Sequence, residues 1–188
     1  VVAYDDAGGT YAARLWWLLR WLGHEAAALL DGGWQAWLAE GLPVTADPPT
    51  LTPRRFQPRP RPQMIVSTEE VARMRADPAC RVFDSRTADR YRGENETLDP
   101  GAGHIPGAVS APYPENLGPD GRFLPPAALR ARFEALLGPA PPENAAFYCG
   151  SGVSAAVNLL ALVHAGLGDA KLYAGSWSKW IIDPARPV

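Results

Sequence analysis

Short apolar runs and longer apolar-rich stretches alternate along the first 41 residues of the chain. The pattern predicts a strand over 1–4, a helix over 11–22, a strand over 26–30 and a helix over 34–40. Glycines follow both helical stretches, as expected where helices end. Because strands and helices alternate, this segment is predicted to form a parallel sheet with helices on its faces.

The pattern changes between residues 42 and 63, where prolines recur among basic residues. Proline removes an amide donor and favours extended backbone, so we predict a semi-rigid, proline-rich linker over 42–63. The arginines of this stretch would also suit an anionic partner. Only Phe56 offers a ring for stacking, however, so the solvated linker is favoured.

A second alternating pattern occupies residues 64–188 and predicts a complete α/β domain. Ser67 and Glu70 have the spacing of a capping box at the start of a helix. Further elements are predicted as strands over 81–84, 145–148 and 172–173, and as helices from Pro126, over 155–165 and after Trp177. The stretch between Arg86 and Gly107 is polar and rich in turn residues.

The two ends of the chain contain an internal repeat. Corresponding residues are Asp5 and Cys149, Gly23 and Gly166, Trp34 and Trp177, and Trp37 and Trp180, at offsets of 144, 143, 143 and 143. Residues 1–41 are therefore predicted to be the second half of a related domain, with roughly eighty residues missing upstream. A half-sheet of this kind is expected to leave the tryptophans of its first helix, Trp16, Trp17 and Trp21, exposed to water.

Composition narrows the function classes. The 188 residues are 47% hydrophobic and 20% charged with a net charge of -2, which predicts a soluble globular chain and gives no electrostatic case for nucleic acid or a membrane surface. No apolar run reaches the length of about 18 residues needed to span a bilayer. Two cysteines, Cys80 and Cys149, form neither a disulfide framework nor a zinc motif, so a cytoplasmic, metal-free protein is expected.

Candidate chemistry centres on Cys149, which ends a predicted strand and opens a loop of glycines and serines. Gly150 and Gly152 allow the backbone to curl so that amide groups point at the sulfur, and the following helix adds partial positive charge. These surroundings favour the thiolate, which is the nucleophilic form. Unpaired cysteines often act only as small hydrophobes, but packing alone does not require glycines and serines at these positions.

Five stretches together resemble the two-domain rhodanese-type sulfurtransferases. They are Asp84–Arg86, Arg90–Gly93, Gly103–Ala108, the Cys149 loop and Gly175–Trp180. The turn over 31–34 resembles the corresponding turn of the family's non-catalytic domain. The resemblance implies an α/β, rhodanese-like fold with a parallel sheet flanked by helices. It comprises one complete catalytic domain over 64–188, after the linker, and the second half of an inactive rhodanese-like domain over 1–41.

The resemblance also implies a reaction. Cys149 would accept a sulfane sulfur from 3-mercaptopyruvate or thiosulfate as a persulfide and pass it to cyanide, a thiol or thioredoxin, without a metal or organic cofactor. Backbone amides of the loop would stabilise the anionic sulfur in both states. The pair Gly150 and Ser151 resembles members that prefer 3-mercaptopyruvate, which makes Ser151 a candidate catalytic residue and predicts that donor for the full-length protein.

Candidate binding residues follow from the same resemblance. Arg90 matches the family's substrate-anion arginine and is suited to a donor carboxylate, although an ion pair with Asp89 or Glu94 is the alternative. The substrate-binding loop is expected to include Gly150, Gly152, Val153 and Ser154. Supporting arginines are Arg86, expected to bridge loops, and Arg92. His104 is expected to fix the backbone of its turn. A second arginine that often precedes this turn in the family is replaced by the sequence of 98–100.

Three other classes of protein compete with a sulfurtransferase. The spacing Gly150-x-Gly152-x-x-Ala155, with Asp169 further on, superficially fits a dinucleotide-binding motif, but that reading leaves the other stretches unexplained. A cysteine-dependent phosphatase requires an arginine where the chain has Ala155, so this class fails. A non-enzymatic sulfur-carrier or regulatory rhodanese-like module stays open.

Overall fold

The computed structural model describes all 188 residues, Val1–Val188, as two parallel sheets with helices. The first segment contains β1 (Val2–Ala3), α1 (Thr10–Trp21), β2 (Ala28–Leu29) and α2 (Gly33–Ala39). The second contains α3 (Thr68–Met74), β3 (Arg81–Asp84), α4 (Ala88–Arg92), β4 (Val109–Ser110), α5 (Pro126–Leu137), β5 (Ala145–Tyr148), α6 (Ala155–His164), β6 (Lys171–Leu172) and α7 (Ser176–Trp180). No helix is both long and apolar enough to cross a bilayer.

The larger sheet has the strand order β4-β3-β5-β6, and every neighbouring pair is parallel. Its two central strands pair over their full length, with Phe83 opposite Phe147 and Asp84 opposite Tyr148. Parallel strands buried on both faces read as continuous apolar runs, which is why 145–148 was predictable. The carboxyl ends of these strands deliver Ser85 and Cys149 to the same edge, where open α/β sheets bind ligands.

Side chains of the central strands alternate between two buried clusters. Phe83 and Phe147 belong to the larger cluster, and their ring centroids lie 4.8 Å apart. This cluster also includes the inner faces of α5 and α6. Val82 and Tyr148 belong to the smaller cluster, together with Trp177 of α7. Burial of each such large side chain contributes about 1.5–3 kcal/mol, so both faces hold the sheet edge in place.

The first segment packs its helix α1 against α6 of the second. Trp16 is 7% and Trp17 is 2% exposed, and both belong to the cluster that contains Leu159 of α6. The expectation that the tryptophans of this helix face water is therefore wrong for these two, and Trp21 is half-buried. The physical reason is that α6 supplies the apolar face that the short sheet β1–β2 lacks.

The proline-rich stretch contains no helix or strand between Glu40 and Arg61. Its end is tied to α1, since the amides of Arg59 and Arg61 donate to the carbonyls of Leu22 and Trp21 at 2.8 Å. The capping box of Ser67 and Glu70 is present as predicted. Helix α4 was not predicted, because it lies within a stretch dominated by turn residues.

Candidate active site

Cys149 lies immediately after β5, and its side chain is buried, with 2% of the residue exposed. The amide of Gly152 donates a hydrogen bond to the Cys149 Sγ atom at 3.1 Å. Gly152 has φ +79°, and a Cβ atom there would lie 2.6 Å from the Ala174 carbonyl oxygen. Only glycine therefore allows the turn that aims this amide at the sulfur.

Ser176 holds the backbone of Cys149 from the neighbouring strand end. The Cys149 amide donates to Ser176 Oγ at 3.1 Å, and the Ser176 hydroxyl donates to the Tyr173 carbonyl at 2.9 Å. Ser176 adopts φ 54°, the one positive φ found outside glycine. Backbone conformations of this kind cost about 1–3 kcal/mol and persist where surrounding contacts enforce them, commonly at functional sites.

Helix α7 clamps the other side of the loop. The amides of Trp177 and Ser178 donate to the carbonyls of Cys149 and Gly150, each at 3.0 Å. The Ser178 hydroxyl lies 2.7 Å from the Gly150 oxygen and 2.6 Å from Asp99 Oδ1. These contacts explain why the stretch 175–180 accompanies the cysteine loop in the sequence.

A cavity of about 520 Å³ opens beside the sulfur. Seven of the predicted site residues line it: Arg86, Arg90, Cys149, Gly150, Ser151, Val153 and Ser154. Gly152 lies outside the lining and acts through its amide, and Arg92 is absent from the cavity. Ser151 is exposed, and its hydroxyl makes no hydrogen bond. The roles predicted for these residues stay predictions.

Arg90 is held at the cavity wall by two acidic residues. Its Nη2 atom donates to Glu96 at 2.7 and 2.8 Å and to Asp99 Oδ2 at 3.3 Å. The alternative ion pairs with Asp89 or Glu94 are not found. Burial raises the pKa of Glu96, but hydrogen bonds from Arg90 and from backbone amides outweigh it, so the pKa lies below its ordinary value.

Arg86 is almost fully buried and joins several loops. Its guanidinium donates to Asp84 Oδ2 at 2.6 Å, to the Gly103 carbonyl at 2.6 Å and to Glu96 Oε2 at 3.2 Å. It also stacks over the Trp177 ring at 4.8 Å. Burial lowers the pKa of Arg86, and the hydrogen bonds and charge of Asp84 raise it above its ordinary value overall. These contacts are those of a bridging residue.

Arg92 and His104 face away from the cavity. The Arg92 side chain is 54% exposed and pairs with Glu94 at 2.7 Å. His104 Nδ1 lies 2.9 Å from the Tyr91 carbonyl oxygen, and its ring stacks on that of Tyr91 with centroids 3.9 Å apart. Neither side chain is placed to contact a molecule bound beside the sulfur.

A buried amide fixes α6 beneath the loop. Asn158 donates to Ser85 Oγ at 2.9 Å and to the Ala111 carbonyl at 2.8 Å, and its Oδ1 accepts from Asn116 at 2.7 Å. The network ties α6 to the ends of β3 and β4. Because the side-chain amide and oxygen of Asn158 are both paired, these hydrogen bonds hold α6 in place beneath the loop.

The sequence did not single out several cavity residues. They are Thr10 and Tyr11 of the first segment, and Thr87, Leu98, Asp99, Tyr113 and Ser178 of the second. Thr10 and Tyr11 stand in the repeat at the start of the helix that follows Asp5, as Ala155 does after Cys149. This correspondence marks Thr10 and Tyr11 as residues next to the first copy's turn, but it does not reveal that they line the cavity of the second copy.

The family model described as "Rhodanese-like domain" matches residues 1–40 and 67–183. The chain is 50% identical to a probable 3-mercaptopyruvate sulfurtransferase of Pseudomonas aeruginosa, over the whole chain and 66% of that relative. It is 36% identical to the thiosulfate sulfurtransferase of Bos taurus, over 96% of this chain and 62% of the relative.

Further similarity extends to a human protein and to a solved structure. The human 3-mercaptopyruvate sulfurtransferase is 35% identical, over the whole chain and 64% of the relative. The anaerobic ergothioneine biosynthesis enzyme from Chlorobium limicola, in complex with trimethyl histidine, has a TM-score of 0.86 and 27% identity, over the whole chain and 50% of that protein. The chain thus spans just under two thirds, 66% or less, of the curated relatives described.

Proposed function

The chain belongs to the rhodanese-like domain family, and on that premise we propose that it moves a sulfane sulfur from a small-molecule donor to a thiophilic acceptor through a persulfide on Cys149. The family match confirms the predicted rhodanese-like α/β fold, with parallel sheets flanked by helices. Relatives named as 3-mercaptopyruvate and thiosulfate sulfurtransferases support this class of transferase chemistry.

The observation that carries the proposal is the hydrogen bond from the Gly152 amide to Cys149 Sγ at the edge of the cavity. A thiolate held there attacks the donor sulfur that is transferred, which is the thiol sulfur of 3-mercaptopyruvate or the outer sulfur of thiosulfate. With 3-mercaptopyruvate the carbon–sulfur bond breaks, and the leaving enolate takes a proton to become pyruvate. With thiosulfate the sulfur–sulfur bond breaks and sulfite leaves. The acceptor then attacks the outer persulfide sulfur and returns Cys149 as a thiolate.

For the donor we propose 3-mercaptopyruvate in preference to thiosulfate. Gly150 and Ser151 place no cation beside the sulfur, and Asp99 adds a carboxylate to the cavity wall. A dianion gains from nearby cations and is opposed by a carboxylate, whereas a carboxylate-bearing donor needs only one remote cation. Arg90 supplies that cation when the donor displaces its longer contact, the one with Asp99.

For the acceptor we propose cyanide or a thiol, including the protein dithiol thioredoxin. The exposed position of Ser151 at the cavity mouth supports access by an acceptor. The net charge of -2 supports the proposal that neither nucleic acid nor a membrane is a partner. Two unpaired cysteines, Cys80 and Cys149, support the proposal of a cytoplasmic location.

Thiocyanate formation from each donor and cyanide tests the proposal. The unmodified chain is expected to form thiocyanate, and Cys149→Ser is expected to abolish it while leaving the fold intact. Cys80→Ser is the matched control, since Cys80 lies outside the cavity, and it should keep most of the activity. Equal losses in two folded variants would contradict the assignment of Cys149.

A further inference from the structure

Arg14 is a cation of the first segment on the helix that borders the active-site cavity of the second. It lies on α1 four residues after Thr10 and three after Tyr11, both of which line the cavity around Cys149. Residues three and four apart share one face of a helix, so Arg14 lies one turn further along the face that carries these two cavity residues. The same helix packs on α6, which begins just beyond the cysteine loop.

The Arg14 guanidinium has no acidic partner. It lies over the Trp17 ring, 4.8 Å from the centroid, and its Nη1 atom is buried without a hydrogen bond. Arg20 on the same helix stacks over Trp16 at 4.9 Å but also pairs with Asp169 at 2.7 Å. A buried donor without a partner costs about 1–3 kcal/mol, so the position of Arg14 calls for a compensating anion.

The candidate for this anion is the thiolate of Cys149, because Thr10 and Tyr11, on the same helix face as Arg14, line the cavity around its sulfur. Burial lowers the pKa of Arg14, and Cys149 is the one group that raises it. The other charged groups at the cavity, Arg86, Arg90 and Asp99, are already engaged in ion pairs with each other or with neighbouring carboxylates. Besides Cys149 itself, Tyr11 and Tyr113 are the remaining titratable side chains in the lining. Arg14 is thus the uncompensated cation of this region.

We propose that Arg14 is a positioning residue whose guanidinium stabilises the Cys149 thiolate, and with it the anionic persulfide, so that the first segment contributes charge to the active site of the second. The persulfide half of this inference rests on the proposed function. The thiolate half rests on the placement of Arg14 alone. Arg14 acts through the charge of the sulfur and is separate from Arg90, which faces the donor.

The pH dependence of alkylation of Cys149 by iodoacetamide tests the inference, because only the thiolate reacts. The Cys80→Ser chain is used throughout, so that a single thiol is followed. Arg14→Met keeps the length and apolar stem of the side chain, and it is expected to move the midpoint of alkylation up by about one pH unit, with a roughly tenfold slower rate near neutral pH. Arg14→Lys keeps the charge and is expected to restore most of the rate.

Arg20→Gln is the matched control, since it removes a cation from the same helix and loosens the contact between the segments. Its alkylation midpoint is expected to match that of the parent chain. An unchanged midpoint in Arg14→Met, or an equal shift in Arg20→Gln, would overturn the inference. So would an Arg14→Lys variant as slow as Arg14→Met. If Arg14→Met fails to fold by circular dichroism, Arg14→Gln takes its place with the same expected shift.

This readout separates the two proposals. If the chain accepts no sulfur from either donor but Arg14→Met shows the midpoint shift, the proposed function is refuted and the role of Arg14 towards the thiolate stands. If the chain forms the persulfide but Arg14→Met has the same alkylation midpoint as the parent, the proposed function stands and the role of Arg14 is refuted.

Discussion

Asp5 stands in the first repeat where Cys149 stands in the second, and both accept backbone N–H groups from the turn that follows them. The Asp5 carboxylate accepts from the amides of Ala7, Gly9 and Ala12 at distances of 2.9, 2.8 and 2.8 Å. Cys149 Sγ accepts from Gly152 at 3.1 Å. The three amides that donate to the Asp5 side chain indicate that this turn between a strand and a helix suits an anion, which supports a thiolate in the other copy.

Replacement of Gly152 by alanine tests the geometry of the turn. The added Cβ would lie 2.6 Å from the Ala174 carbonyl oxygen, at φ +79°. We expect Gly152→Ala to lower the free energy of unfolding by about 1–3 kcal/mol and to reduce thiocyanate formation at least tenfold. Urea denaturation and cyanolysis measure the two effects.

Gly121→Ala is the control for this variant, since Gly121 has φ +75° but nothing within 4 Å of an added Cβ. It should cost less stability and leave cyanolysis unchanged. Full activity in Gly152→Ala would show that the amide contact with the sulfur is not needed.

Asp99 is expected to control the choice of donor. Its carboxylate lines the cavity and touches both Arg90 and Ser178. A unit charge about 4 Å away is worth about 1–4 kcal/mol near a protein surface, so Asp99→Asn should raise kcat/KM for thiosulfate, relative to 3-mercaptopyruvate, by about tenfold. The measurement is the ratio of kcat/KM for thiosulfate to kcat/KM for 3-mercaptopyruvate, with one acceptor throughout. Asp120→Asn, at an exposed position, is the control. An unchanged ratio in Asp99→Asn would contradict the role of Asp99 in donor choice.

Cations introduced into the loop should act in the same direction. A side chain at Gly150 would begin 3.5 Å from Arg90 Nη2 and 3.7 Å from Asp99 Oδ2, at the wall of the cavity. Replacing Gly150 and Ser151 with arginine and lysine is expected to shift kcat/KM towards thiosulfate, because the added charge stabilises a dianion in the transition state. A clear thiosulfate preference already present in the unmodified full-length protein would refute the loop argument.

Glu96 is expected to stabilise the fold at pH values above its ordinary pKa. Hydrogen bonds from Arg90 and from backbone amides outweigh burial and hold the pKa of Glu96 below its usual range. The stabilisation is therefore present above the unfolded value of about 4.3 and is lost as pH falls through the lower folded value. Glu96→Gln should lower the free energy of unfolding by about 3 kcal/mol at neutral pH, because it leaves Arg86 and Arg90 short of a buried partner.

The difference between the parent chain and Glu96→Gln should shrink as the pH falls below about 4. Urea denaturation at several pH values measures it. Glu134→Gln removes an exposed partner of Arg130 and should cost less than about 1 kcal/mol at any pH. A difference for Glu96→Gln that stays constant with pH would contradict the role of the carboxylate charge.

Local signals sufficed for much of the second segment. The strand over 145–148 was predictable because it is a short apolar run buried on two faces, and the helix at Ser67 was predictable from its capping spacing. The position of Cys149 before a small-residue loop indicated the candidate site. Each of these features depends on residues close together in the chain.

Features that depend on the path of an irregular turn or on distant contacts were missed. The pairing of Arg90 with Glu96 is set by a turn whose path the polar sequence does not specify. The burial of Trp17 and the presence of Thr10 and Tyr11 in the cavity depend on α1 packing against α6, across a linker that leaves the arrangement of the two segments open. Sequence periodicity identifies an apolar helix face but does not identify its partner.

The intact mass of the chain after treatment with 3-mercaptopyruvate, followed by peptide mapping, shows directly whether Cys149 accepts the sulfur. We expect a gain of one sulfur, located on the peptide that contains Cys149 and lost on addition of cyanide. The gain should be absent from Cys149→Ser and retained in Cys80→Ser. A folded chain that gains no sulfur from either donor, or that carries the added sulfur on Cys80, would contradict the role of Cys149.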